Sequence, residues 1–122
     1  MHRSLFQVFV AGSDKAAEFY QKAFDAKLIC AYPNEDGTYM HAELDIYGQI
    51  LALSESTAKE PDPGNTMMLC LEFGQGNADK VYKSYGVLKE GAAPHDPPGD
   101  CGYSQHQFVL VDKFGVNWCI FE

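Results

Sequence analysis

Apolar and polar positions change period along this chain, and they do so twice in the same order. Residues 5–10 (LFQVFV) form a short run rich in β-formers. Past Gly12 the period lengthens. Ala16, Phe19, Tyr20, Ala23 and Phe24 fall at i, i+3, i+4, i+7 and i+8, with Lys15, Glu18, Gln21 and Lys22 on the other side. That spacing predicts an amphipathic helix over residues 14–24, with Ser13 as its N-cap. Residues 26–32 read as a strand and PNEDG at 33–37 as a turn; residues 38–46 and 49–55 read as a hairpin across Tyr47-Gly48. The order is β-α-β-β-β.

Residues 56–65 (STAKEPDPGN), with two prolines, a glycine and charges, read as a linker. The pattern then starts again. Residues 66–73 are a predicted strand, followed by Asn77 as a cap and a helix over 78–85 that Gly86 closes. Its apolar face is Ala78, Val81, Tyr82 and Tyr85. Residues 87–90 can form a short strand, 91–102 (GAAPHDPPGDCG) a long loop, and 103–111 with 116–122 a second hairpin. This is β-α-β-β-β once more.

The two runs align. Asp45, Tyr47, Gly48, Leu51, Ala52, Leu53 and Glu55 fall on Asp112, Phe114, Gly115, Trp118, Cys119, Ile120 and Glu122 at an offset of 67. Phe19-Tyr20 falls on Val81-Tyr82 at 62, which carries Leu5 onto Met67. The five extra residues fit in the proline-rich loop, where insertions are tolerated. Any two strand–helix units can be slid into partial agreement, but the in-register Asp, aromatic, Gly and Glu favour a duplicated module. The expected architecture is one α+β domain over residues 1–122, built from repeats 1–55 and 66–122 joined by linker 56–65.

Charge narrows the partners. A net charge of −8 excludes nucleic acid, which needs clustered Lys and Arg, and disfavours an anionic membrane. No apolar run approaches transmembrane length, and the apolar stretch near the N-terminus is too short for a signal peptide. Cys30, Cys70, Cys101 and Cys119 are widely spaced with no CxxC pair, which fits reduced thiols and a cytoplasmic location.

Three motifs in order carry a family resemblance: Glu18-Phe19-Tyr20 followed by Phe24, His41-Ala42-Glu43-Leu44, and Asp112-Lys113-Phe114-Gly115-Val116-Asn117-Trp118. The chain resembles the vicinal oxygen chelate superfamily of glyoxalase I, bleomycin-resistance proteins and extradiol dioxygenases, and within it the PhnB-like branch. Asp25 replaces the branch's Gly after Phe24, and Lys113 its usual Arg. The resemblance implies two βαβββ modules whose curved sheets enclose a cavity, and a homodimer. In metal-dependent members a divalent ion is held from the first and last strands of each half. Those positions correspond here to Leu5, Ala52, Met67 and Cys119, none of them a His or a carboxylate. No cofactor is therefore expected, and metal-dependent lyase, isomerase or dioxygenase chemistry would need displaced ligands such as His41, Glu43 and His106. Members labelled demethylubiquinone methyltransferases occur in this branch, but the chain has no Gly-rich nucleotide loop after a parallel strand.

If Ala52 faces the cavity, so do Glu43 opposite it, His41 and Ser54. An even-length turn in the second hairpin would add His106, Phe108 and Leu110 to the face of Asn117 and Cys119. With Leu5, Gln7, Phe9, Met67, Leu69 and Phe121 this makes a mainly apolar wall suited to a small organic ligand. His41 beside Glu43 fits an acid–base pair, and equally a structural hydrogen bond. Cys119 fits a nucleophile or simple packing, while Trp118, opposite in parity, is expected between sheet and helix. The leading expectation is a small-molecule binder without the customary metal. The alternatives are an enzyme using His41 and Glu43 or displaced metal ligands, and a scaffold whose pocket is filled by its own side chains.

Overall fold

A computed structural model describes all residues, Met1–Glu122. The elements run β1 (Phe6–Val10), α1 (Ser13–Phe24), β2 (Lys27–Pro33), β3 (Tyr39–Ile46), β4 (Gln49–Glu55), β5 (Leu69–Glu72), α2 (Ala78–Leu88), β6 (Gln107–Val111) and β7 (Asn117–Phe121). They fall into two compact units, Met1–Pro61 and Asp62–Glu122. No helix is long and apolar enough to cross a membrane.

In the first unit four strands lie in the order β1-β4-β3-β2. β1 runs parallel to β4, and β3 pairs antiparallel with both β4 and β2. One sheet face carries Leu44 and Ala42 opposite Leu51 and Leu53, all fully buried. Against that layer α1 turns Ala16, Phe19, Tyr20, Ala23 and Phe24, the stripe its spacing predicts. Burying each large side chain contributes about 1.5–3 kcal/mol, so this layer is the unit's main source of stability.

The N-cap differs from expectation. Gly12 occupies that position with φ 80°, and the Ser13 hydroxyl does not cap α1. The carboxylate of Glu55, at the end of β4, accepts hydrogen bonds from the Gly12 and Ser13 N–H groups at 2.9 Å and from Ser13 Oγ at 2.7 Å. Burial opposes its charge, but these donors outweigh that effect and hold the carboxyl below its ordinary value. Ser13 Oγ in turn accepts from the Tyr39 N–H at 2.8 Å, joining helix, β3 and β4 at one point.

The second unit is a three-stranded sheet, β5-β7-β6, with β5 parallel and β6 antiparallel to β7. Glu122 repeats the role of Glu55: one carboxylate oxygen accepts the N–H groups of Gly76 and Asn77 at 3.0 and 3.1 Å, just ahead of α2. Asn77 holds the cap position without a side-chain capping bond; its amide donates backward to Phe73 O and Gly74 O. The match of Glu55 with Glu122 is thus a shared device, the last strand of each half satisfying unpaired amides at its helix start.

The second unit departs from the expected β-α-β-β-β order. α2 continues through Gly86 to Leu88, and no strand forms at residues 87–90. The reason is the buried stripe Val81, Ser84 and Leu88, whose helical spacing outweighs the cost of one internal glycine. That stripe is rotated from the predicted face, leaving Tyr82 half exposed.

The two hairpins turn differently. Tyr47 and Gly48, with φ 49° and 97°, form a two-residue turn, and Asp45 Oδ1 accepts the Gly48 N–H. In the second hairpin Asp112 pairs with Val116 around a three-residue loop, with Gly115 at φ 87°. Asp112 is buried. Its Oδ1 accepts the N–H groups of Phe114 and Val116, and its Oδ2 accepts Nε1–H of the fully buried Trp118 at 2.9 Å.

Candidate functional site

Alternation along β3 and β4 sets the polar face of the first unit. Glu43 lies opposite Ala52, and Ala52 lies beside Gln7 of the parallel strand β1. Because side chains alternate, His41, Glu43, Ala52, Ser54, Gln7 and Phe9 share the face turned away from α1. Gln7 Nε2 donates to Ser54 Oγ at 3.1 Å. Leu5 precedes β1 and is half-buried.

Arg3, two residues further back in the same alternation, completes this face. Its guanidinium grips the Glu43 carboxylate with both forks, Nη1 to Oε2 at 2.9 Å and Nη2 to Oε1 at 2.8 Å. His41 Nε2 lies 3.0 Å from the same Oε1. The Glu43 side chain is 7% exposed, against 50% for Arg3 and 32% for His41. The Arg3 hydrogen bond and then that of His41 outweigh burial and lower the Glu43 carboxyl from 4.5 to about 2. With both oxygens occupied and its carboxyl held low, Glu43 is a poor proton acceptor. It orients the His41 ring by way of Nε2, leaving Nδ1 as the ring's other polar atom.

The second unit corrects the expected parity. Cys119 pairs with Val109, and Asn117 with Val111, so Gln107, Val109 and Val111 share the face of Cys119. His106, Phe108 and Leu110 lie on the opposite, helix-facing side. The cause is the odd-length loop after Asp112, which shifts β6 by one residue and inverts every side chain. Phe108 is buried edge-on to the Tyr85 ring, 5.2 Å between centroids. His106 Nδ1 is 3.1 Å from Tyr82 Oη, with Nε2 3.7 Å from Glu122. Leu69, opposite Trp118, belongs to the helix side as well. Met67 precedes β5 and is exposed; its carbonyl and that of Pro63 accept the Asn117 amide, both at 3.2 Å, so Asn117 pins the chain entering β5. His95, within the long loop, is held between Ala93 O and Tyr85 Oη.

Cys119 is nearly enclosed. Burial pushes its thiol up, only partly offset by the Gln107 amide, whose Nε2 lies 3.4 Å from Sγ. A buried thiol held protonated is a weak nucleophile. Between the start of α2 and the loop ahead of β6, a polar groove of about 530 Å³ is lined by Gly76, Asp100, Tyr103, Ser104, Gln105 and Glu122 among others. Sequence pattern gives no sign of it, because it is shaped by the fold of the long loop.

Of the four positions corresponding to the superfamily's metal ligands, Leu5 and Ala52 have no donor atom, Met67 offers only a thioether, and Cys119 is a thiol disfavoured as thiolate. Glu43, the carboxylate opposite Ala52 in the first unit, is committed to Arg3. No group of three or more His, Cys, Asp or Glu side chains converges so as to hold a metal ion. These residues do not fit a divalent metal.

Arg3 and Gln107 are the two site residues that sequence pattern alone does not single out. Extending the β1 alternation back to residue 3 would find Arg3. Gln107 is hidden by the turn parity.

Similar structures span nearly the whole chain. The PhnB protein from Bacillus cereus matches with TM-score 0.78 at 21% identity, covering 99% of this chain and 98% of its own. Protein PA1353 from Pseudomonas aeruginosa matches with 0.78 at 18% identity, covering 99% and 97%. The fosfomycin resistance protein FosX from Listeria monocytogenes matches with 0.68 at 15% identity, covering 99% and 92%. No curated protein matches the sequence. The family model described as Glyoxalase/Bleomycin resistance protein/Dioxygenase superfamily matches residues 4–120, and the chain therefore belongs to that superfamily.

Proposed function

We propose that this protein binds a small organic molecule against the Arg3, Gln7, His41 and Ser54 face of its first unit, without a divalent metal and without acid–base chemistry. The observation that carries this reading is the occupation of Glu43. Both oxygens are taken by Arg3 and His41, and the carboxyl is lowered to about 2, so it serves to position those two side chains rather than to move protons. His41 Nδ1 and the exposed flank of Arg3 offer polar contacts to a ligand oxygen, while Phe9, 68% exposed, offers an apolar one. Bleomycin-resistance proteins act by sequestration, which gives binding without turnover a precedent on this fold.

The test is a thermal-shift screen of carboxylates, phosphonates and hydroxylated aromatics, followed by calorimetry on wild type and His41→Ala. Phosphonates are included because one FosX structure holds Mn(II) and 1S,2S-dihydroxypropylphosphonic acid. A stabilising ligand that is recovered unchanged, and bound more weakly by His41→Ala, supports the reading. Turnover of a ligand that His41→Ala abolishes, or binding that requires a stoichiometric divalent ion, would replace it with the enzymatic alternative. A homodimer belongs to the same proposal. Exposed Leu28, Ile29, Tyr32 and Met40 along β2 and β3 supply apolar surface for it, and sedimentation would measure it.

A further inference from the structure

We infer that Cys70 and Cys119 form a dithiol that an oxidant of the peroxide class converts to an intramolecular disulfide. The two residues are direct partners on the adjacent parallel strands β5 and β7. Directly opposed residues point to the same side of a sheet, and neighbouring strands lie about 4.8 Å apart. That spacing falls within the Cα separation of about 4.4–6.8 Å that a disulfide spans. The thiols also sense each other, Cys70 being among the groups that raise Cys119, after burial.

Their environments divide the labour. Cys70 is exposed on the edge strand and Cys119 is buried on the central one. Peroxide reaches Cys70 first: its thiolate sulfur takes one oxygen, the O–O bond breaks, and water leaves after proton transfer, giving a sulfenic acid. The Cys119 sulfur then attacks the Cys70 sulfur, the S–S bond forms, and the hydroxyl departs as water with the Cys119 proton. Two thiols and one peroxide give one disulfide and two waters. The Gln107 amide, 3.4 Å from Cys119 Sγ, steadies the thiolate that forms as the Cys119 proton leaves, and the adjacent Cys70 sulfur is then within its reach. The product ties edge strand β5 to β7. Cys101 is the competing partner, although its Sγ is turned to Ser104 O at 3.5 Å.

The experiment treats dilute, reductant-free protein with hydrogen peroxide and follows free thiols, intact mass and disulfide-linked peptides. The thiol titre should fall from the four of the sequence by half, with a mass loss of about 2 Da and a linked Cys70–Cys119 peptide. Cys101→Ser and Cys30→Ser should behave the same, whereas Cys70→Ser should lose the reaction. Oxygen adducts on Cys70 without a cross-link, a bond to Cys101, or covalent dimers through Cys70 would each overturn the assignment. The wild-type peptide map distinguishes these products even if a variant folds poorly.

Discussion

Replacing Arg3 by alanine should release Glu43 from its ionised state. In the wild type the Arg3 fork is the largest influence lowering this carboxyl to about 2, followed by His41, with burial opposing both. Without the fork only His41 opposes burial, so the titration should move up into the ordinary carboxylate range. The linkage has a definite sign. A folded-state value below the unfolded 4.5 means the folded chain binds fewer protons between pH 4.5 and about 2. The stability Glu43 contributes is complete above pH 4.5 and is lost as pH falls through about 2. At about 1.4 kcal/mol per pH unit the ceiling is about 3 kcal/mol. Solvent screening across the half-exposed pair reduces that to about 1 kcal/mol. The assay is carbon-detected NMR of the Glu43 carboxyl from pH 7 to 3, with urea unfolding of both proteins at pH 6 and pH 3. Wild-type Glu43 should not titrate in this range, and the Arg3→Ala carboxyl should. A variant carboxyl that also stays ionised to pH 3, or a stability difference equal at both pH values, would refute the account of Glu43 as an Arg3-held anchor.

Three further outcomes follow from the fold. Asp112→Ala should destabilise by about 3 kcal/mol in urea unfolding, because it strands the buried Trp118 N–H and two loop amides. Asp112→Asn should cost less, since one acceptor oxygen survives. Glu55→Ala should cost about 1–2 kcal/mol and speed amide exchange at the start of α1, where Gly12 and Ser13 lose their acceptor. Gly48→Ala should cost about 1 kcal/mol purely through its left-handed backbone, since nothing lies within 4 Å of an added Cβ; a neutral result in thermal unfolding would contradict the two-residue turn.

Local chemistry was legible wherever a single element decided it. The α1 stripe, the Tyr47-Gly48 turn and the pairing of Glu43 with Ala52 all depend on spacing within one helix or one hairpin, and the structure places them as that spacing predicts. Glu55 and Glu122 align in the sequence, but why each half ends on a glutamate is visible only where the strand end meets the helix start.

The sequence by itself determined the superfamily, the α+β class and the first unit's element order, because period and turn residues are local quantities. Only tertiary structure decided which face His106 and Phe108 occupy, since one residue of loop length after Asp112 inverts a strand. It alone decided that the segment after Gly86 stays helical, since Leu88 gains more from burial on the Val81 stripe than from a short strand. And it alone brought Arg3 onto Glu43, a contact across 40 residues of chain that spacing within one element does not encode.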